Sequence, residues 1–173
     1  IWVTAAVAIL VERDQIFGRH WLLAGHVSQL PEAGSFFLFE LDRESVVVMR
    51  DATGQIHAHH NFCRHRGTRL CTEAHGQVKG GLQCSYHAWT YGFDGALKAA
   101  PNMQDVPGFD RADHGLKPAA LAEWRGFLFV NLADDPVPFA DALSALQGKF
   151  EHWRVEELKS VHQTTYEVEA NWK

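Results

Sequence analysis

Asn61-Phe62-Cys63-Arg64-His65-Arg66-Gly67, and further along Cys84-Ser85-Tyr86-His87-Ala88-Trp89-Thr90-Tyr91-Gly92, are the two stretches that decide how this chain is read. Each offers one thiol and one imidazole, Cys63 with His65 as C-x-H and Cys84 with His87 as C-x-x-H. Most zinc sites with two Cys and two His draw both thiolates from one short loop and both imidazoles from a helix. One sulfur and one nitrogen per loop suits instead a two-metal centre in which every loop gives one ligand to each metal.

The surroundings of these four residues resemble the Rieske proteins, in which two Cys hold one iron of a 2Fe-2S cluster and two His hold the other. More narrowly, the chain resembles the N-terminal part of the alpha subunit of Rieske non-haem iron oxygenases of the ring-hydroxylating type. The resemblance implies Cys63 and Cys84 on one iron, and His65 and His87 on the other. Respiratory-chain Rieske proteins carry an extra cysteine in each loop, joined as a disulfide. Here Thr68 or its neighbours and Tyr86 fill those places, which favours the disulfide-free oxygenase type. Two positions depart from the family pattern: Ser85 stands where Pro is usual, and Ala88 where Gly is common. The implied fold is all-β, a Rieske-type antiparallel β-sandwich with two cluster-binding hairpin loops and short flanking helices.

Working outward, residues 36–41, 46–50 and 55–60 read as strands. They are separated by Asp42-Arg43-Glu44-Ser45 and Asp51-Ala52-Thr53-Gly54, turn residues at hairpin spacing. The first ligand loop follows the third strand and the second follows a short strand over 80–84, so both ligand pairs are expected at hairpin tips. Asp94-Gly95 marks another tight turn. Residues 102–115 read as loop, and 118–124 with 126–132 as a last hairpin. Thr4 caps a helix running to about Phe17 and closed by Gly18. Residues 138–153 carry helical spacing at Phe139, Leu143, Leu146 and Phe150, read as a buried helix face. Residues 164–170 alternate as a strand.

The expected organisation is a helix and lead-in over 1–35, the Rieske domain over 36–132, and a helical segment and strand over 133–173 that lead to a catalytic domain. Both ends read as cut, and Asn171-Trp172-Lys173 resembles the entry to that domain. The resemblance therefore places the mononuclear Fe(II) of an oxygenase, with its two histidines and carboxylate, beyond Lys173.

A length of 173 residues with 46% apolar and 12% aromatic content fits one globular domain with a sizeable core. A formal charge of -5 without a dense Lys/Arg cluster excludes nucleic acid as a partner. No apolar run reaches the roughly 18 residues of a membrane span. The stretch from Ala5 to Val11 ends in Glu12-Arg13-Asp14 and lacks the marks of a signal peptide. Two of three cysteines are committed as ligands, so Cys71 has no disulfide partner within the chain; a reducing compartment, the cytoplasm, is expected. Cys71 reads as a small buried hydrophobe.

His57, His59 and His60 tempt as a site, but in a strand His57 and His59 share a face and His60 takes the other, so they read as solvent-exposed strand residues. Trp89 and Tyr91 either shield the cluster or pack the core. Arg64 and Arg66 either form a cationic rim for an acidic electron donor or make internal ion pairs. The backbone N–H groups near Gly67 and Gly92 are candidate donors to the cluster sulfurs, which would raise its potential.

The resemblance implies a role as electron relay, with no catalytic residue in this chain. Electrons would come from a reductase or ferredoxin and pass to the catalytic domain of a neighbouring alpha subunit in a trimer, for hydroxylation or demethylation of an organic substrate. The run Ala99-Ala100-Pro101-Asn102-Met103 resembles members that oxidise quaternary ammonium compounds such as glycine betaine and choline; aromatic ring dihydroxylation is the other class. Two rivals stand beside this reading. One is a free-standing Rieske ferredoxin, which would end soon after the β domain; the other is a zinc-binding structural module, which would be colourless.

Overall fold

The structure, a computed structural model, describes residues 11–162 and 164–170. Among them ten strands form, β1 (Leu22–His26), β2 (Ser35–Leu41), β3 (Glu44–Arg50), β4 (Ile56–His60), β5 (His75–Gln77), β6 (Leu82–Gln83), β7 (Thr90–Tyr91), β8 (Leu97–Ala99), β9 (Ala120–Trp124) and β10 (Phe127–Asn131). They assemble into three antiparallel sheets, in the orders β1-β10-β9, β4-β3-β2-β5 and β6-β7-β8.

The four-stranded sheet is the middle layer. Val46, Val47, Val48 and Met49 of β3 are all fully buried because β3 is paired on both edges and covered on both faces. Val46 and Val48, with Phe37 and Ala58, pack towards Leu128 and Val130 of β10. Val47 and Met49, with Phe36, pack towards Leu82, Tyr91 and Leu97 of the β6-β7-β8 sheet and towards Cys63 and Cys84. An unbroken apolar run is what a strand buried on both faces requires. Each of these side chains contributes roughly 1.5–3 kcal/mol of transfer free energy.

The strands expected between residues 36 and 132 are present, and two further strands shape the sheets. β1 closes the β9–β10 hairpin into a sheet, and β5 pairs with β2 rather than with β4. The first ligand loop is consequently not the tip of a β4–β5 hairpin but a small hairpin of its own, bridged at Phe62 and Arg69. The second ligand loop is the tip of β6–β7, where Gln83 faces Thr90.

The flanks differ more. Thr4 lies outside the described residues; the described part of that helix ends in a π-helical turn, Arg13–Phe17, with Gly18 as its C-cap. Over 138–153 only Phe139–Ala142 is α-helical, followed by a 3-10 turn at Ser144–Leu146. Phe139 packs on Phe129 and Phe150 on Trp124, both with ring centroids 5.1–5.4 Å apart. On a straight helix those two phenylalanines would stand about 16 Å apart. Their contacts lie on the adjoining strands β9 and β10, where Ala122 pairs with Phe129 and Trp124 with Phe127, so the targets are about 7 Å apart along the hairpin. The chain breaks its helix to reach both. The four apolar positions are half-buried, as their spacing suggests, but on a folded strap rather than on one helix. Residues 164–170 are exposed and form no strand: no described strand pairs with them, and an alternating pattern without a pairing edge has no ladder to join.

Candidate metal centre

Both ligand loops are built on the same backbone frame. In the first, Cys63 N–H donates to Thr68 C=O at 2.8 Å and Gly67 N–H donates back to Cys63 C=O at 2.8 Å. In the second, Cys84 N–H donates to Trp89 C=O at 2.8 Å and Ala88 N–H to Cys84 C=O at 3.0 Å. The fourth residue after each cysteine turns left-handed, Gly67 at φ 71° and Ala88 at φ 56°. Gly81, at φ 136°, lets β6 start against β7: a Cβ there would lie 2.1 Å from Tyr91 C=O.

The frames bring the four predicted residues together. Cys63 and Cys84 are buried, and neither is in a disulfide. Cys84 is opposed by burial, which is outweighed by the Tyr86 and His87 N–H groups, the Cys63 thiol and the Thr68 hydroxyl, so its thiol is held below the usual range. The His65 and His87 rings meet at 4.6 Å with a 61° tilt. On each ring Nδ1 is buried with no hydrogen-bond partner. A buried unpaired imidazole nitrogen is costly, and one on each of two rings 4.6 Å apart fits metal ligation at both. Burial, then His87, then Arg66, push the His65 pKa down, favouring the neutral imidazole that ligates.

Aromatic rings flank both imidazoles. Trp89, buried, lies flat on His65 at 4.8 Å and 10°, and is edged by Phe109 and His114. Tyr86 stacks on His87 at 3.8 Å and 30°, yet is 59% exposed. Tyr91 is fully buried, with its Oη 3.3 Å from Cys63 Sγ. Arg64 N–H donates to that oxygen at 3.0 Å, which leaves the phenolic hydrogen free to be donated to the sulfur. Burial and then Cys63 raise the Tyr91 pKa, keeping it protonated. Trp89 and Tyr91 thus both pack the core and shield the centre.

Two expectations need correction, and one open alternative is decided. Gly67 N–H and Gly92 N–H are spent on the carbonyls of Cys63 and Ala96, not on sulfur; the N–H groups acting on Cys84 come from Tyr86 and His87. The histidines of β4 are not solvent-exposed. His57 pairs with Asp51 at 2.8 Å, His59 is buried with Nε2 on Phe93 C=O at 3.0 Å, and His60 faces Glu44 at 3.5 Å. β4 lies under the β7–β8 turn and the strand entering β9, which cover it. Arg64 and Arg66 are exposed, and among the described residues neither makes an ion pair, which removes the internal-pair reading. Cys71 is a small buried hydrophobe, as expected.

Among the described residues no three His, Cys, Asp or Glu side chains converge on a point that would hold one metal ion. The sulfurs meet as one pair and the rings as another, a division foreign to a tetrahedral zinc site. The described residues also contain no helix long and apolar enough to cross a membrane. Fold and donor set together define a class, the iron–sulfur domain with mixed thiolate and imidazole ligation.

The chain belongs to the Rieske [2Fe-2S] domain family, whose model matches residues 20–110. It is 39% identical over 163 residues to the glycine betaine monooxygenase oxygenase subunit of Pseudomonas aeruginosa (strain UCBPP-PA14), covering 94% of this chain and 38% of that protein. A quaternary ammonium Rieske monooxygenase, whose structure addresses carnitine oxidation and inter-subunit electron transfer, superposes with a TM-score of 0.76 at 29% identity, covering 82% of this chain and 38% of that one. Naphthalene 1,2-dioxygenase from Rhodococcus sp. superposes with a TM-score of 0.76 at 33% identity, over 82% of this chain and 32% of that one. The chain thus spans well under half the length of these relatives, which are oxygenase components. The family implies a 2Fe-2S cluster.

Proposed function

We propose that this chain is the electron-relay domain of a Rieske oxygenase, with Cys63 and Cys84 on one iron and His65 and His87 on the other. The observation that carries the reading is the pair of buried, partnerless Nδ1 atoms on rings 4.6 Å apart, beside two buried cysteines. A cluster so held accepts and releases one electron at a potential of about -150 to +300 mV. The chain's own residues keep the thiols and imidazoles in place, exclude water through Trp89 and Tyr91, and leave the His87 side open to solvent through Tyr86. Arg64 and Arg66, exposed and without ion pairs among the described residues, supply a cationic rim on which an acidic reductase or ferredoxin would dock. In the whole protein the electron would pass to a mononuclear iron outside these residues, in a neighbouring subunit. The substrate class best supported is a quaternary ammonium compound, since glycine betaine and carnitine, named for the 39% identical relative and for one of the superposed structures, both carry that group.

The purified chain is expected to be red-brown, with two irons and two acid-labile sulfides per chain. His87→Cys should lower the midpoint potential while keeping cluster, because a thiolate stabilises the oxidised iron. Zinc alone with no visible absorbance, or an unmoved potential in the variant, refutes the ligand set.

A further inference from the structure

We infer that Asn61 is the positioning residue of the first ligand loop, setting the Cys63 sulfur against the Tyr91 hydroxyl and thereby the potential of the centre; this rests on the cluster-binding reading above. Asn61 is completely buried. Its side chain makes the two bonds that a neighbouring strand would make: Oδ1 accepts from Cys71 N–H at 2.9 Å, and Nδ2 donates to Cys71 C=O at 2.8 Å. The second Nδ2 hydrogen goes to Ser45 Oγ at 3.1 Å, whose hydroxyl donates to Glu40 at 2.8 Å. Backbone bonds from Asn61 N–H to Ser45 C=O and from Leu70 N–H to Asn61 C=O complete the clasp. One residue therefore closes the 61–71 loop at its base and fastens it to β3. Only a side-chain amide offers an acceptor and two donors in this plane.

The clasp reaches the sulfur through a short rigid path. Cys63 stands two residues beyond Asn61, inside the hairpin whose Cys63–Thr68 and Gly67–Cys63 bonds leave it no slack. Tyr91 belongs to another strand, β7, and its one oxygen holds both Arg64 N–H at 3.0 Å and Cys63 Sγ at 3.3 Å. Whether the phenolic hydrogen reaches sulfur is thus decided by how the first loop sits against β7, and the Asn61 clasp fixes that seat. A loosened clasp leaves the Cys71 peptide unpaired in the core, lets Cys63 drift from Tyr91, and removes a donor from the sulfur, which lowers the potential.

The test uses this chain, loaded with its cluster, and compares Asn61→Leu, a neutral change of similar size, with the milder Asn61→Ser, which guards against a Leu variant that does not fold. Ser45→Ala serves as control, since it removes the outer partner and leaves the Cys71 pair intact. Expected are a midpoint potential below that of the unmodified chain in both Asn61 variants, altered EPR g-values of the reduced cluster, and cluster loss to a chelator about tenfold faster. Ser45→Ala should lose stability but shift the potential less than either Asn61 variant, since the Cys71 pair and the backbone bond from Asn61 N–H to Ser45 C=O remain. In a Tyr91→Phe background, itself at lower potential, the Asn61 shift should largely vanish, because the two residues act through one bond. Unmoved potentials in the Asn61 variants, a Ser45→Ala shift of equal size, or full additivity with Tyr91→Phe overturns the inference. If the unmodified chain takes up no 2Fe-2S cluster, it is the cluster-binding reading that fails instead.

Discussion

Ala88 carries a conformational cost that Gly67, its counterpart in the other loop, avoids. Left-handed backbone costs a residue with a Cβ roughly 1–2 kcal/mol, and Ala88 sits at φ 56° because its N–H must close the frame on Cys84 C=O. Glycine removes that strain but loses about 0.5–1 kcal/mol to its freer unfolded chain. Ala88→Gly should therefore stabilise the fold by about 0.5–1 kcal/mol, read from denaturant unfolding with the cluster present; a loss of stability would show that the frame is not strained. Cys71 makes the opposite kind of prediction. Burial pushes its thiol up to about 11, so at pH 8 its thiolate fraction is about a hundredfold lower than that of a thiol titrating near 9. Its stabilising contribution is complete below about pH 9 and is lost as pH rises through 11. Iodoacetamide at pH 8 should label Cys71 about a hundredfold more slowly than in the denatured chain, followed by mass spectrometry.

At the scale of elements, β4 ties the ligand-bearing hairpins to the middle sheet through His59. Burial pushes the His59 pKa down, and the bond to Phe93 C=O and the nearby Asp94 only partly offset burial and the like charges of His57 and His60. His60 is lowered too, by burial first, with Glu44 and Asp134 opposing and Lys117 assisting. The unfolded chain binds those protons more readily below about pH 6.5, so stability is present above that value and falls with acid. The thermal midpoint should drop between pH 7 and pH 5, and drop less in His59→Gln, whose amide can still donate to Phe93. Parallel curves would remove His59 from the account. Neither the burial of His59 nor the break in the 138–153 helix was legible in the sequence. A strand's alternation shows which side chains share a face, not that a turn from residues 92–95 will cover that face. Helical spacing likewise marks four apolar positions but not the separation of the rings they must meet. Residues 36–60 were legible because turn chemistry and apolar runs agree there, and the four ligand candidates because unequal Cys-His spacing belongs to few chemistries. Asn61 stood in plain sight within the motif, with nothing in its type to announce a clasp on Cys71.

The whole molecule divides into a covered middle sheet, a closing sheet on one face and a ligand-bearing sheet on the other. Its charges divide as well: a chain of formal charge -5 presents beside the rings two exposed arginines, Arg64 and Arg66, that make no ion pair among the described residues. If the relay reading holds, the loaded chain should take single electrons from a reductase and pass them on. It should make no oxygenated product from glycine betaine, carnitine or aromatic acids when supplied with ferrous iron, because in that reading the iron that activates O2, with its two histidines and carboxylate, is held outside these residues. Product formed by this chain, detected by mass spectrometry, would place a second iron site within it.

The matched frames of the two loops have a consequence for redesign. The inner turn of each is closed by peptide groups, with the Asn61 amide clasping the base of the first, so the closing bonds use none of the four thiol and imidazole side chains. The centre is a socket with four exchangeable plugs. Swapping histidine for cysteine at position 65, at position 87, or at both would yield a graded set of electron carriers on one unchanged scaffold, with voltage chosen by the plug and geometry supplied by the socket.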